Sequence, residues 1–270
     1  MHLTLKLLRE VLTERKLIWE LAKADFRKRF VGSYFGMVWM FIQPIATVLV
    51  YFFVFQLGMK ASPPVPGQPY VIWLIPGIIP WFFFSDSISG MTGTMSEYSY
   101  LVKKMAFPIE LLPIIKLLSC FFVHFCFLVI MIGVFLISGN MPSLCWLQIF
   151  YYSFACSVFG LGLGYLTSSI NVFFKDMSQI VSIALQFGMW MVPIMYWEGM
   201  FTQDHPWMET VFKLNPLYYI VAGYRDSMLT GDLFIERPMN TLYFWCVSIL
   251  MLYIGIKIFM RLRPHFSDVL

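Results

Sequence analysis

The chain has 270 residues, 59% of them hydrophobic, 19% aromatic and only 13% charged. A water-soluble domain of this length has no interior able to hide that much apolar surface, and the apolar runs are continuous rather than alternating. A soluble globule and a β-barrel are therefore excluded in favour of an all-α polytopic membrane protein, and the small formal net charge of +4 gives no reason to expect nucleic-acid binding.

Residues 1–30 set Leu8, Val11, Leu12, Ile18, Leu21 and Ala22 at intervals of three and four among Lys6, Arg9, Arg15, Lys16 and Lys23. This pattern predicts an amphipathic helix lying in the membrane interface. The region before the first apolar run is too long for a signal peptide and no small-residue cleavage site follows that run, so the segment is expected to be retained.

Six transmembrane helices are predicted over 35–58, 71–91, 111–138, 144–170, 180–197 and 242–260, all within one transmembrane domain covering 1–270. The third, at 28 residues, extends about 42 Å at the helical rise and must tilt or protrude from a hydrocarbon core of about 30 Å, which lets Lys116 snorkel to the interface. Residues 198–240 are too long for a connector and too broken for a span. Asn215-Pro216 divides them into short semi-apolar pieces, which predicts an external re-entrant helical region.

The stretch from Glu97 to Pro113 is a charged interruption between two long apolar runs, with Lys103 and Lys104 side by side and Pro108 where a new helix can start. Only Lys60, Lys213, Arg225 and Arg237 of the 19 Lys and Arg residues fall on the opposite face. The positive-inside bias thus predicts that both termini and the Lys103 loop are cytoplasmic.

The chain lacks a G-x-x-x-x-G-K-[ST] sequence and so has no P-loop cradle for a nucleotide. Gly160, Gly162 and Gly164 sit inside a span, where close helix packing explains them better than a cofactor loop. The five cysteines and four histidines lack metal-site spacing, and His124 reads as a hydrogen-bonded interior residue. Asp86, an acid well inside a span, has two open readings: an ion path, or a residue neutralised or wetted beside Ser85 and Ser87. Glu198, Asp204, Glu209, Asp226, Asp232 and Glu236 would be the acids of a membrane-bound transferase, or simply those of a wetted loop.

Several segments then occur in a recognisable order: Asp25–Pro44, with its basic stretch and Trp-bearing first span; Pro76–Phe84; Leu101–Pro113, with a Lys-x-x-Phe-Pro element; Phe173–Met177; Met191–Tyr196; and Leu214–Arg225. Together they resemble the membrane (permease) subunit of ABC-2 type polysaccharide exporters, the branch that moves O-antigen, capsule or teichoic acid chains. Lys175 stands where that family usually has Arg.

The resemblance implies a homodimer in the bacterial cytoplasmic (inner) membrane, bound to two copies of a cytoplasmic nucleotide-binding ATPase. ATP and Mg belong to that partner, and this chain is a non-catalytic transport subunit with no metal or cofactor of its own. It further implies that Glu97, Tyr98, Lys103, Lys104, Phe107 and Pro108 couple to the ATPase. The cargo would be a lipid-linked polysaccharide, its linker phosphate or headgroup held by Arg27, Lys28 and Arg29, its sugars guided by Tyr34, Trp39, Tyr51, Trp190 and Tyr196 along a conduit at the dimer interface. The alternatives are an ABC-2 exporter of another lipid or drug, and an ion-coupled secondary transporter using Asp86.

Overall fold

The computed structural model describes residues 9–31, 34–60, 65, 67–103 and 107–270, and among these every regular element is helical. The first helix, α1 (Arg15–Lys28), buries Ile18, Ala22 and Asp25, which share one stripe at the helical period, and carries Arg27 and Lys28 in its last turn, where the helix dipole favours cations. It packs against the third apolar helix.

A 3-10 turn at Gly36–Val38, helix α2 (Trp39–Tyr51) and a π-helical stretch at Phe52–Gly58 form the first segment of spanning length. None of its residues is buried. Helix α3 (Tyr70–Glu97) is its opposite: 28 residues buried on nearly every side, packed against α4 (Leu112–Ile137), α5 (Gln148–Phe173) and α6 (Met177–Met191). Its predicted end at 91 falls short: the helix runs on through Gly93 to Glu97, with Thr92, Thr94 and Met95 buried.

Helix α4 ends as its sequence dictates. Gly139 adopts φ +82°, and the amides of Gly139 and Asn140 donate to the carbonyls of Leu136 and Phe135, a glycine-terminated Schellman arrangement. Helix α5 then lies tightly along α9 (Pro238–Leu262). A methyl group on Gly162 would fall 2.6 Å from the backbone nitrogen of Leu252, and one on Gly255 would strike the Gly162 carbonyl. Gly162 thus serves close packing, as expected, and so does Gly164, where a methyl would meet the Met91 sulfur, whereas a methyl on Gly160 would have only Ile88 Cδ1 near it, at 4.0 Å.

Among the described residues, five helical segments are long and apolar enough to cross a membrane, against six predicted. The difference lies at 180–197. Helix α6 stops at Met191, after 15 residues or about 22 Å, because Pro193 cannot continue the hydrogen-bond ladder. The irregular backbone that follows is buried at Val192, Ile194 and Met195, and its carbonyls need donors. Arg225 supplies two, reaching the Pro193 and Ile194 oxygens at 2.6 Å each, and the Tyr70 hydroxyl donates to the Met195 oxygen at 2.6 Å.

The region 198–240 is made of short helices, as predicted. Helix α7 (Trp207–Leu214) and helix α8 (Pro216–Arg225) meet at Asn215, whose side chain accepts from the Leu217 amide at 3.0 Å.

The two ends of the bundle differ. Helix α1, the C-terminal end of α3, the start of α4 and the C-terminal segment gather at one end. Arg263 pairs with the buried Glu110 there at 2.9 Å, and Phe173 meets Phe266 at 6.0 Å. Helix α8 and the Asp226–Arg237 region lie at the other.

Candidate translocation site and its charged inner end

At the α1 end, six charged side chains from three helices share one network. Asp25, only 2% exposed, accepts from Lys116 at 2.9 Å and from the Tyr98 hydroxyl at 2.5 Å, while its second oxygen faces Arg29 Nε at 3.7 Å. Lys116 also meets Glu97 at 2.7 Å, Glu97 meets Lys28 at 3.1 Å, and Arg29 meets Asp86 at 2.7 Å. Three acids and three bases balance. Burial pushes the Asp25 carboxyl up, but Ser119, Tyr98 and Lys116 together outweigh it and hold the group below the usual carboxylate range.

Lys116 does not reach outward to solvent as snorkelling predicted: it is 6% exposed and turned inward, because Asp25 and Glu97 offer it two carboxylates. Asp86 is neither free nor buried alone. It pairs with Arg29 and keeps 47% of its side chain exposed.

Beside the Arg29–Asp86 pair lies a cavity of about 610 Å³ between α2 and the α3–α4 pair, lined among others by Trp39, Gln43, Asp86, Cys120 and His124. The imidazole of His124 stacks on Phe83 with ring centres 4.4 Å apart. Its Nε2 hydrogen-bonds with the Tyr224 hydroxyl (2.9 Å) and the Ser153 hydroxyl (3.2 Å), while Nδ1 has no partner among the described residues. The interior, hydrogen-bonded histidine expected from the sequence is what the fold contains, and it ties the wall of this cavity to α8.

Toward the other end, Tyr51, Phe55, Tyr70 and Trp73 follow one another at ring separations of 6.3, 6.0 and 5.8 Å. They run beside a second cavity of about 580 Å³, whose walls include Trp190, Tyr196, Phe201 and Phe212. Trp73 in turn carries the Arg225 guanidinium on its face at 3.7 Å. A small charged cavity of about 280 Å³ adjoins it, where Asp226 pairs with Arg237 at 2.8 Å and burial pushes the Asp226 carboxyl up to about 6.

A family model described as ABC-2 type transporter matches residues 16–229, which takes in α1 through α8. The chain belongs to the ABC-2 type transporter family. Among curated members of known name it is 26% identical over 255 residues to an O-antigen export system permease protein RfbA of Klebsiella pneumoniae, covering 94% of this chain and 95% of that one. It is 27% identical over 268 residues to the protein of the same name from Myxococcus xanthus, covering 98% and 99%. It is 21% identical over 248 residues to the polysialic acid transport protein KpsM of Escherichia coli, covering 87% and 89%.

Within this ABC-2 fold the residues singled out from sequence separate into groups. Of the basic triplet, Arg29 alone lines the inner cavity; Lys28 is taken by Glu97, and Arg27 is exposed with no ion pair among the described residues. Of the aromatics, Tyr34 is 97% exposed, Trp39 lines the inner cavity, Trp190 and Tyr196 line the outer one, and Tyr51 sits between α2 and α6 with its hydroxyl 3.5 Å from the Met189 sulfur. They do not form one patch but mark successive levels of the bundle.

Of the coupling stretch, Glu97 and Tyr98 point inward to Lys116 and Asp25, while Lys103 is exposed and Phe107 and Pro108 are half-buried. Lys104 lies outside the described residues. Sequence reasoning missed Asp25, Lys116 as an internal cation, and Arg225 as the donor that satisfies the α6 break. For Asp25 the signal was present: it falls on the stripe of Ile18 and Ala22, the face that α1 buries.

Proposed function

We propose that this chain is the transmembrane subunit of an ATP-driven exporter of lipid-linked polysaccharide, of the O-antigen, capsule or teichoic acid type. Two copies form the conduit between them, and two copies of a separate cytoplasmic ATPase, carrying ATP and Mg, drive it. The subunit resides in the bacterial cytoplasmic membrane with both termini and the Glu97–Pro108 stretch on the ATPase side.

One observation carries this reading. The span containing α2 has no buried residue although every other spanning helix does, and aromatic rings line its flanks from the inner cavity to the outer one. A helix that meets α3, α4 and α6 along one flank and is exposed elsewhere is suited to face a second copy across a path. Aromatic rings spaced along that path offer sugars many weak, sequence-tolerant stacking sites, so that a chain slides without being trapped. The relatives named for O-antigen and polysialic acid transport support this cargo class. Arg29 lines the inner cavity, which supports giving it the linker phosphate in this reading.

The ion-coupled alternative is weaker, because the Asp86 carboxylate on which it rests is engaged by Arg29. The test is reconstitution in liposomes with the ATPase, measuring ATP hydrolysis with and without lipid-linked polysaccharide. The exporter reading expects co-purification and hydrolysis that changes with polymer. A chain that purifies alone and binds no ATPase in any lipid overturns it.

A further inference from the structure

The three acids of the inner network are not equivalent. Asp25 is buried, with a side chain 1% exposed, and taking its partners away would strand a charge in the interior. Glu97 is shared between Lys116 and Lys28. Asp86 has one cation, Arg29, and its side chain is 47% exposed toward the cavity, with Ser85 and Ser89 also lining the wall. Released from Arg29, it would be solvated where it stands. Arg29 would keep Asp25 at 3.7 Å and so hold its position.

From this asymmetry we infer that Asp86 is a displaceable counter-ion, occupying on Arg29 the place that the phosphate of an entering lipid-linked substrate takes. The inference rests on the exporter reading for the identity of the substrate and adds a specificity determinant to it. The Asp86 carboxylate, a monoanion, sits at 2.7 Å on one guanidinium nitrogen, Nη1. An incoming anion must outcompete it while Asp86 remains nearby and repels. A diphosphate, with more than one charge and several acceptor oxygens, meets that condition. A zwitterionic or uncharged headgroup does not. Asp86 thereby keeps ordinary membrane lipids off Arg29. The cavity of about 610 Å³ gives the displacing group room beside Trp39 and Gln43.

The test uses the whole protein in nanodiscs of zwitterionic lipid. Two probes are titrated by calorimetry: soluble inorganic pyrophosphate, and nanodiscs doped with polyprenyl diphosphate. Asp86→Asn is expected to tighten both about tenfold, and Arg29→Gln to abolish the binding. Asp86→Asn in the Arg29→Gln background is expected to give no gain. Asp86→Asn is also expected to let a monoanionic phospholipid compete, which the native protein resists. Tightening with the doped nanodiscs alone assigns the site to a lipid headgroup; tightening with both assigns it to the diphosphate group as such.

Binding by Asp86→Asn that equals or falls below the native level overturns the inference, provided its unfolding curve in detergent matches the native one. If Asp86→Asn destabilises the fold, Asp86→Ser, which keeps a small polar group, is measured instead under the same criteria. Polymer-stimulated ATP hydrolysis in the reconstituted exporter is a separate readout. Its persistence beside unchanged diphosphate binding would remove the role given to Asp86 and leave the exporter reading in place.

Discussion

Lys116→Met is the substitution that most directly tests the inner network. Lys116 Nζ lies 2.9 Å from Asp25 and 2.7 Å from Glu97. Without it, Glu97 loses little, since it is 34% exposed and retains Lys28 at 3.1 Å. Asp25 loses its nearest cation inside the protein, and breaking a buried pair from one side costs about 3–5 kcal/mol. The Tyr98 hydroxyl and the more distant Arg29 remain, which puts the expected loss near the lower limit, about 3 kcal/mol. Asp25→Asn with Lys116→Met removes both charges together, and the double variant is expected to recover about 1–2 kcal/mol of that loss. Urea unfolding in detergent, followed by circular dichroism for the native, single and double variants, measures the cycle. A loss under about 1 kcal/mol for Lys116→Met, the range of a surface pair, would refute the reasoning. So would a double variant no more stable than the sum of the singles.

Acid should act through the same residue. The folded Asp25 carboxyl is held below its ordinary value, so its stabilising contribution is complete above the usual carboxylate range near pH 4 and is lost as pH falls through the lower folded value. Melting temperatures taken from pH 7 to pH 3 should therefore fall more steeply at the acid end for the native protein than for Asp25→Asn. Gly162→Ala places a methyl 2.6 Å from the Leu252 nitrogen and should cost about 1–3 kcal/mol, or prevent folding, as read from the monodisperse yield and the unfolding midpoint. Lys103→Ala combined with Lys104→Ala should leave membrane insertion intact and weaken co-purification with the ATPase; unchanged association and export would remove the coupling role proposed for this stretch.

The apolar helices were legible in the sequence because each is a long run whose hydrophobicity no soluble fold accommodates. The α7–Asn215–α8 break was legible because Asn-Pro has a mechanism: the Asn caps, and the Pro begins a helix. The helix break within 180–197 is equally physical. An apolar run does not reveal whether its backbone is satisfied within one helix or by distant donors. Here the donors are Arg225 and Tyr70, 32 and 125 positions from the carbonyls that they meet. Lys116 was misplaced for the same reason. Its position in a span was visible, but the carboxylate that draws it inward comes from α1, 91 residues away. The aromatic residues gave the right chemistry without the right grouping, since ring content does not say which faces meet.

The inner network also suggests how an outer force and an inner ligand come to share one element in the proposed exporter. Glu97 closes α3 at the start of the stretch assigned to the ATPase, and it holds Lys28. The next residue, Arg29, holds Asp86 on the cavity wall. A displacement of the Glu97 end therefore reaches the cavity through one ion pair and one peptide bond, carried by a helix end that Asp25 anchors from within. Linkage makes such a connection reciprocal: if ATPase binding changes the affinity of Arg29 for a phosphate by some factor, phosphate binding changes ATPase affinity by the same factor. Lys28→Ala removes the direct link while leaving Arg29, Asp86 and the longer Glu97–Lys116–Asp25 route in place. It should preserve diphosphate binding by the permease alone and weaken the effect of diphosphate on the affinity of the ATPase. An effect of equal size in Lys28→Ala would show that the two sites communicate by a route other than the Lys28–Glu97 pair.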